Sequence, residues 1–545
     1  MTTESKKTSL KDAGMFACGV WMGLILFFII AAPLQACSGA IDETDDDAGT
    51  DDDAGTDDDL AIDDDAQTDD DSATDDDAGD DDDATDDDAV DDDAFICDSY
   101  NPDSTVGLIA CRPGAFEGYT LVAPTMVTTV YLLDMFGRVV NQWPGQYMPG
   151  QNAFLLETGQ LLRTGNVLNV YFPVGGLGGL VQIQEWDGTV SWQYRYSDSH
   201  HCQHHDVEML PNGNILIIAW EKKTLAEAIA AGRDPDTLPD NEIWPDTIVE
   251  VARAGVGSDQ IVWEWHAWDH LVQDFDPSKD NYGDPAAHPE LIDLNYTCSP
   301  ILENRADFMH TNSVDYNAAL DQILITVHNY SESWILDHST TTAEAAGHAG
   351  GNRGRGGDLL YRWGNPDAYR ASGERFFFQQ HDAEWIKAGL PGASHIMVFN
   401  NGIGRPEGLY SSVDEFVPAV DESGNYPWPD PAFGPDELYW TYAAAHPQSM
   451  FSAIMSSAQR LANGNTLIGV GQSGAFIEVT AAGKIVWKYI NPAIRDRILQ
   501  QGEPIPGGVG GSANEVFRAY RYAPDFPGFE GRDLTPGECL VEPCE

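Results

Sequence analysis

Two short stretches near the end of the chain, Asn463-Gly464-Asn465-Thr466-Leu467-Ile468 and Gly483-Lys484-Ile485-Val486-Trp487-Lys488-Tyr489, contain the pattern that decides the fold. The first is a tight turn running into an apolar strand, because Asn-Gly supplies the positive φ angles of a hairpin. The second alternates apolar and polar residues around an aromatic pair, the mark of a half-buried strand. The same pair of signatures recurs upstream. The aromatic signature returns as Gly188 to Tyr194 with Trp192, as Ile261-Val262-Trp263-Glu264-Trp265, as Leu359-Leu360-Tyr361-Arg362-Trp363, as Leu438 to Tyr442 with Trp440, and more weakly as Gly137 to Trp143. The turn signature returns best at Pro211-Asn212-Gly213-Asn214 before Ile215 to Ile218. About six antiparallel units of this length predict an all-β six-bladed β-propeller over residues 95–545. A two-sheet sandwich has no need of such similar units along so much chain.

Three histidines occupy one position of that repeat: His205 before Asp206, His310 before Thr311, and His381 before Asp382. Equivalent positions in different blades face one axis, so the three imidazoles are expected to share a site. The register of the last Asn-Gly turn sets Ser456 opposite His205. Such a ring offers a nucleophile, a proton shuttle and hydrogen-bond donors together, which favours an enzyme over a scaffold. The run from His200 to His205, which includes Cys202, offers soft metal ligands. Neighbouring side chains on a strand point to opposite faces, so the whole run is not expected to reach one ion. The insertion from Ala267 to Asp307, with His270, Asp274, Asp276, His288 and Glu290, is expected to lie over a face of the scaffold, its aspartates capping turns, with a metal site as the alternative.

The first 94 residues read differently. Lys6, Lys7 and Lys11 precede an apolar run from Met15 to Leu34, which ends in Leu34-Gln35-Ala36-Cys37. Residues 1–36 therefore read as an export signal whose lipobox presents Cys37 for acylation, with a plain membrane anchor as the alternative. Residues 37–94 are dominated by Asp triplets, which repel one another, bury nothing, and predict a disordered stalk. The triplets lack the alternating oxygen ligands of a calcium loop. The tract supplies roughly half of the net charge of −61, and the acidic remainder argues against nucleic acid as a partner. Beyond Cys37 the cysteines are Cys97, Cys111, Cys202, Cys298, Cys539 and Cys544. In an exported chain an even number favours disulfides, with Cys97–Cys111 and Cys539–Cys544 as plausible local pairs.

Several ordered motifs then carry a resemblance. His310-Thr311-Asn312-Ser313-Val314-Asp315-Tyr316, Trp334 to Thr340, Gly357 to Pro366, Gln380-His381-Asp382-Ala383 and Gln459 to Leu467 are similar to the bacterial arylsulfate sulfotransferase family, over residues 115–492. The resemblance implies a six-bladed propeller with an axial site. It also implies transfer of a sulfuryl group from an aryl sulfate ester to a phenol, with no nucleotide or other cofactor. It makes His381 the nucleophile, His205 and His310 supporting catalytic groups, and Asn312 a substrate ligand, and it brings a family hydroxyl onto Ser456 or Ser457. Where the family commonly has an arginine, this chain has His328. A guanidinium donates paired hydrogen bonds and stays charged, whereas an imidazole replaces it only when protonated. Weaker sulfate binding near neutral pH, an acidic optimum or a changed substrate are the expected consequences. The implied partners are a small aryl sulfate and a phenol, with a membrane contact through the lipid anchor and a homodimer as the oligomer considered. Two other classes stay open: a propeller that binds a ligand or partner without catalysis, and a metal-dependent enzyme built on the histidine cluster.

Overall fold

The computed structural model describes residues 97–542 except 239, 256, 298–305, 496 and 509–510. The expected export signal, Cys37, the Asp-rich stalk, Cys298 and Cys544 lie outside the described residues. Among those residues no helix is long and apolar enough to cross a membrane.

The turn-and-aromatic repeat builds six sheets of antiparallel strands, each running outward from a shared axis. Blade two is Pro149–Leu155, Leu161–Asn166, Gly179–Gln184 and Val190–Arg195; blade three is His201–Met209, Ile215–Glu221, Asp246–Ala252 and Gln260–His266. Blade four is Thr311–Asn317, Gln322–Val327, Glu332–Asp337 and Tyr361–Trp363; blade five is His381–Trp385, Ile396–Asn400, Ser412–Phe416 and Trp440–Ala443. The ring is closed from both ends of the chain. The late strand Val516–Tyr522 becomes the innermost strand of blade one, pairing with Tyr119–Pro124 inside Val130–Leu133 and Val139–Trp143. The early strands Gly107–Cys111 and Ser99–Tyr100 extend blade six outward from Ile485–Ile490. Blade six is otherwise Ser457–Arg460, Thr466–Val470 and Ala475–Val479. Closure of this kind removes long exposed strand edges. A Cys97–Cys111 disulfide holds the added strands, as expected for a local pair; Cys539 is also disulfide-bonded, whereas Cys202 is a buried free thiol.

The aromatic signature acquires a structural reason here. Each blade's outer strand places a tryptophan whose indole N–H donates into the connection between the third and fourth strands of the next blade. Trp143 donates to Glu185 O at 3.0 Å, Trp192 to Asp259 Oδ1 at 3.2 Å, and Trp263 to Thr340 Oγ1 at 3.1 Å. Trp363 donates to Pro435 O at 2.9 Å, Trp440 to Ala481 O at 3.0 Å, and Trp487 to Met135 O at 2.9 Å, which completes the circle. The indole, buried in five blades and half-buried at Trp440, fills the wedge between blades and finds a partner for its N–H there, so the same residue type recurs six times.

The innermost strands face one another without a further ladder, and their N–H groups are satisfied by side chains of the preceding blade. Val314 N donates to Asp206 Oδ2 at 3.0 Å, Trp385 N to Asp315 Oδ2 at 2.7 Å, and Ala458 N to Asp382 Oδ2 at 3.0 Å. Asp206 and Asp382 are thus inter-blade ties, and neither is hydrogen-bonded to a ring histidine.

Candidate active site at the propeller axis

Register breaks in the innermost strands build the site. Strand pairing is interrupted between Gln203 and Val207, between Thr311 and Ser313, and between His381 and Glu384. His205, His310 and Asp382 take left-handed φ values of 48°, 55° and 61°. Such bulges re-aim side chains, at about 1–3 kcal/mol per strained residue. The expectation that adjacent histidines diverge fails for this reason: His204 and His205 meet with their Nδ1 atoms 2.8 Å apart. The rest of the run scatters, with His200 exposed, His201 stacked on Tyr196 at 4.0 Å, and Cys202 buried.

The three repeat-matched histidines do come together, and His328 joins them. Ring centroids lie 4.6 Å apart for His205–His310, 5.3 Å for His310–His328 and 5.2 Å for His328–His381. Phe517, from the strand that closes blade one, completes the circuit at 6.4 Å from His381 and 5.9 Å from His205.

Hydrogen bonding assigns the protons. Asn401 donates its amide to Ser452 O at 2.8 Å and Met455 O at 3.0 Å, so its Oδ1 must face His381 Nδ1, 2.8 Å away. His381 therefore carries hydrogen on Nδ1 and a lone pair on Nε2, which accepts Met455 N–H at 3.2 Å. Asn329 repeats the device: its amide donates to Asp307 O at 3.1 Å, which turns its Oδ1 toward His328 Nδ1 at 2.8 Å. His204 and His205 share one hydrogen between their Nδ1 atoms, and His204 Nε2 faces Asp246 Oδ1 at 3.3 Å. His310 Nδ1 sits 2.5 Å from Asp307 Oδ2, and Trp220 Nε1 donates to the other oxygen of that carboxylate at 3.0 Å.

Burial, reinforced by the neighbouring imidazoles, holds His205 and His381 well below the ordinary histidine range and takes His328 down to about 3. These three rings are neutral at working pH. Burial alone would raise the Asp307 carboxyl, but the His310 imidazole and the Trp220 N–H outweigh it and hold the group below its usual value.

The remaining expected residues brace this ring. Asn312 is buried and donates Nδ2 to Gln380 O at 3.0 Å, one residue before His381. Ser456 Oγ accepts Gly471 N–H at 2.9 Å, and Ser457 Oγ accepts Ala519 N–H at 3.3 Å. The Gly-rich run before Gly179 serves close approach: His205 N donates to Gly176 O at 2.8 Å, and a Cβ on Gly176 would come within 1.9 Å of His205 Cε1.

Sequence reasoning passed over Arg518. It lies buried on the axis, donating to Asp206 Oδ2 at 2.8 Å and Asn312 O at 3.1 Å and ion-paired with Asp382 Oδ1 at 2.7 Å, with its guanidinium over Phe517. Its charge is spent on these carboxylates from blades three and five, so it does not stand in for the arginine replaced by His328. Asn401, Asn329 and Asp307 were passed over as well.

Comparison with known proteins bears on what the ring does. No match is found among curated proteins. Among solved structures the chain is similar to a protein of unknown function from Bacteroides caccae, at 11% identity over 68% of this chain and 93% of that one, TM-score 0.38. It is similar to Kuenenia stuttgartiensis hydrazine synthase at 12% identity over 57% and 71%, TM-score 0.32, and to virginiamycin B lyase from Staphylococcus aureus at 8% over 72% and 87%, TM-score 0.33. The family comparison is the informative one, because the arylsulfotransferase (ASST) family matches residues 182–494, which include all four ring histidines. The chain belongs to the arylsulfotransferase family.

Proposed function

We propose that the protein moves a sulfuryl group from an aryl sulfate ester to a phenolic acceptor through a covalent intermediate on His381. Family membership supports aryl sulfotransferase activity in general. The observation that carries the finer reading is the state of His381: neutral, with Nδ1–H held by Asn401 and its one lone pair on Nε2, where the Met455 N–H must give way to the incoming sulfur.

In the first half-reaction Nε2 of His381 attacks sulfur in line, the N–S bond forms, and the ester O–S bond breaks. The electron pair leaves with the aryl oxide. In the second, the phenol oxygen forms the new O–S bond as the N–S bond breaks, and the phenolic proton passes to Nε2 of His205 and on to the departed aryl oxide. Splitting one exchange into two displacements is the advantage of a nucleophilic residue. Charge in the loose transition state spreads over the sulfuryl oxygens, so positioned donors contribute most. His310 and Asn312 are the groups proposed to face those oxygens. His328 is a weak contributor in its neutral form, because its N–H is engaged by Asn329.

That last observation also favours a second reading, a propeller that binds an anionic or aromatic ligand without turnover. A chromogenic aryl sulfate with added phenol separates the two: the enzyme releases the aryl oxide and forms the phenyl ester, and His381→Asn abolishes both. A ligand-binding propeller does neither. The proposal places the domain outside the cytoplasm, held by a lipid on Cys37; loss of lipid labelling in Cys37→Ser is the matching test.

A further inference from the structure

A second histidine cluster lies at the junction of blades three and four, formed by His270, His348 and Asp358. His270 follows the outer strand of blade three, His348 sits on a glycine-rich loop of blade four, and Asp358 precedes the outer strand of blade four. Among the described residues this is where three potential metal-ligand atoms from His, Cys, Asp or Glu come within 4.8 Å of one another. His270 Nδ1 is 2.8 Å and His348 Nδ1 is 2.7 Å from the same atom, Asp358 Oδ1.

Hydrogen bonding around His270 does not close without an added positive species. Its Nε2 lies 2.8 Å from Ala345 O, a carbonyl that can only accept, so Nε2 carries the hydrogen. Neutral His270 then presents the Nδ1 lone pair to a carboxylate oxygen, acceptor against acceptor, in a side chain with no solvent exposure. A proton on Nδ1 would satisfy that one contact. A divalent metal ion satisfies both imidazoles and the carboxylate together, and a ligating histidine whose other N–H is held by a backbone carbonyl is the usual second-shell arrangement.

The surroundings favour an ordered ligand set. Trp265 lies parallel to the His270 ring at 5.8 Å, and its indole donates to Gly357 O at 2.7 Å. Residue 357 must be glycine, since a Cβ there would stand 2.6 Å from His270 Nε2 and 2.0 Å from Ala345 O. His348 is 62% exposed, so it can swing outward by the few tenths of an ångström that insertion of an ion demands, and solvent reaches the remaining position.

We infer that His270 Nδ1, His348 Nδ1 and Asp358 bind one zinc-class divalent ion, which ties the insertion after blade three to the blade-four loop. Two imidazoles and one carboxylate suit zinc and not calcium or magnesium, which take oxygen shells. The site is separate from the axial ring, and its test is independent of sulfuryl transfer.

The test uses the full chain, freed of metal with chelator, dialysed, and loaded with zinc or cobalt(II). The expected result is one equivalent of zinc that survives dialysis and, for cobalt, the intense visible bands of a four-coordinate nitrogen-containing site. Weak oxygen sites on the Asp-rich segment do not give such bands. His348→Ala, a change at an exposed side chain, weakens retention at least about 100-fold and leaves circular dichroism and aryl sulfate turnover unchanged. His328→Ala in the ring leaves zinc retention intact. Absence of stoichiometric zinc in the chelator-treated and reloaded protein would overturn the inference, and so would zinc that is retained by His348→Ala or lost by His328→Ala.

Discussion

Replacing His328 by arginine tests the electrostatics of the axial site. With its pKa at about 3, protonating His328 at pH 7 costs about 5 kcal/mol, four pH units at roughly 1.4 kcal/mol each. A hydrogen bond from a charged donor to a sulfuryl oxygen returns only about 1.5–3 kcal/mol. The bound anion therefore cannot recruit this proton near neutrality. Each unit of acidification lowers the cost by about 1.4 kcal/mol, so cost and return come level near pH 5. Arginine carries the charge at every pH and avoids the cost, apart from desolvating a guanidinium beside Asn329. In a chromogenic aryl sulfate assay from pH 5 to 9, the donor KM of His328→Arg is expected to be about 10-fold to 100-fold below wild type at pH 7, and nearly flat with pH. The wild-type KM should fall toward that of the variant as the pH approaches 5. Superimposable pH profiles for the two proteins would refute this reasoning.

Other consequences follow from the same contacts. Asn401→Asp sets a carboxylate against His381 Nδ1 and raises the nucleophile's pKa, so the acidic limb of the pH–rate profile should move up by one unit or more; an unmoved limb argues against Asn401 as the group that sets the tautomer. Arg518→Met leaves Asp206 and Asp382 buried without their cation and should cost about 3–5 kcal/mol in denaturant unfolding, the lower end if Asp382, which burial already pushes well above the usual carboxylate range, takes a proton. His338 is bonded to Asp321 at 2.8 Å and Glu250 at 3.2 Å; burial opposes its charge, but the two carboxylates win and raise it to about 9. A raised folded pKa gives stability that is complete below the unfolded value near 6.5 and is lost as pH rises through 9. That amounts to about 3 kcal/mol, and it should be missing from the pH–stability curve of His338→Gln.

Much of the fold was legible because the propeller repeats one physical problem six times. Each wedge between blades needs an indole with a partner for its N–H, and each hairpin needs a positive φ, so Trp and Asn-Gly recur at readable intervals. The histidines were legible for the same reason: His205, His310 and His381 hold one repeat position and meet at the axis. What escaped was non-repetitive. Val516–Tyr522 carries neither signature and lies past residue 492, where the family resemblance ended, so Phe517 and Arg518 gave no sign of reaching the axis. Two arginines, Arg518 and Arg521, within an otherwise apolar and aromatic run were the available signal. Asn401 and Asn329 each follow the second strand of a blade and look like ordinary turn residues until the imidazole above them is seen. His204 was misjudged because the rule for adjacent strand residues assumes a regular strand, and the bulge at His205 breaks it. The pairing of His270 with Asp358 joins residues from different blades, a distance that periodicity does not span.

The central claim is that neutral His381 receives the sulfuryl group on Nε2. Mass spectrometry under neutral conditions, after brief exposure to an aryl sulfate without acceptor, tests it most directly. A sulfuryl adduct on the peptide containing His381 is predicted, stoichiometric with the burst of released aryl oxide, discharged by added phenol and absent from His381→Asn. Turnover with no adduct, or an adduct on another residue that persists in His381→Asn, would contradict it.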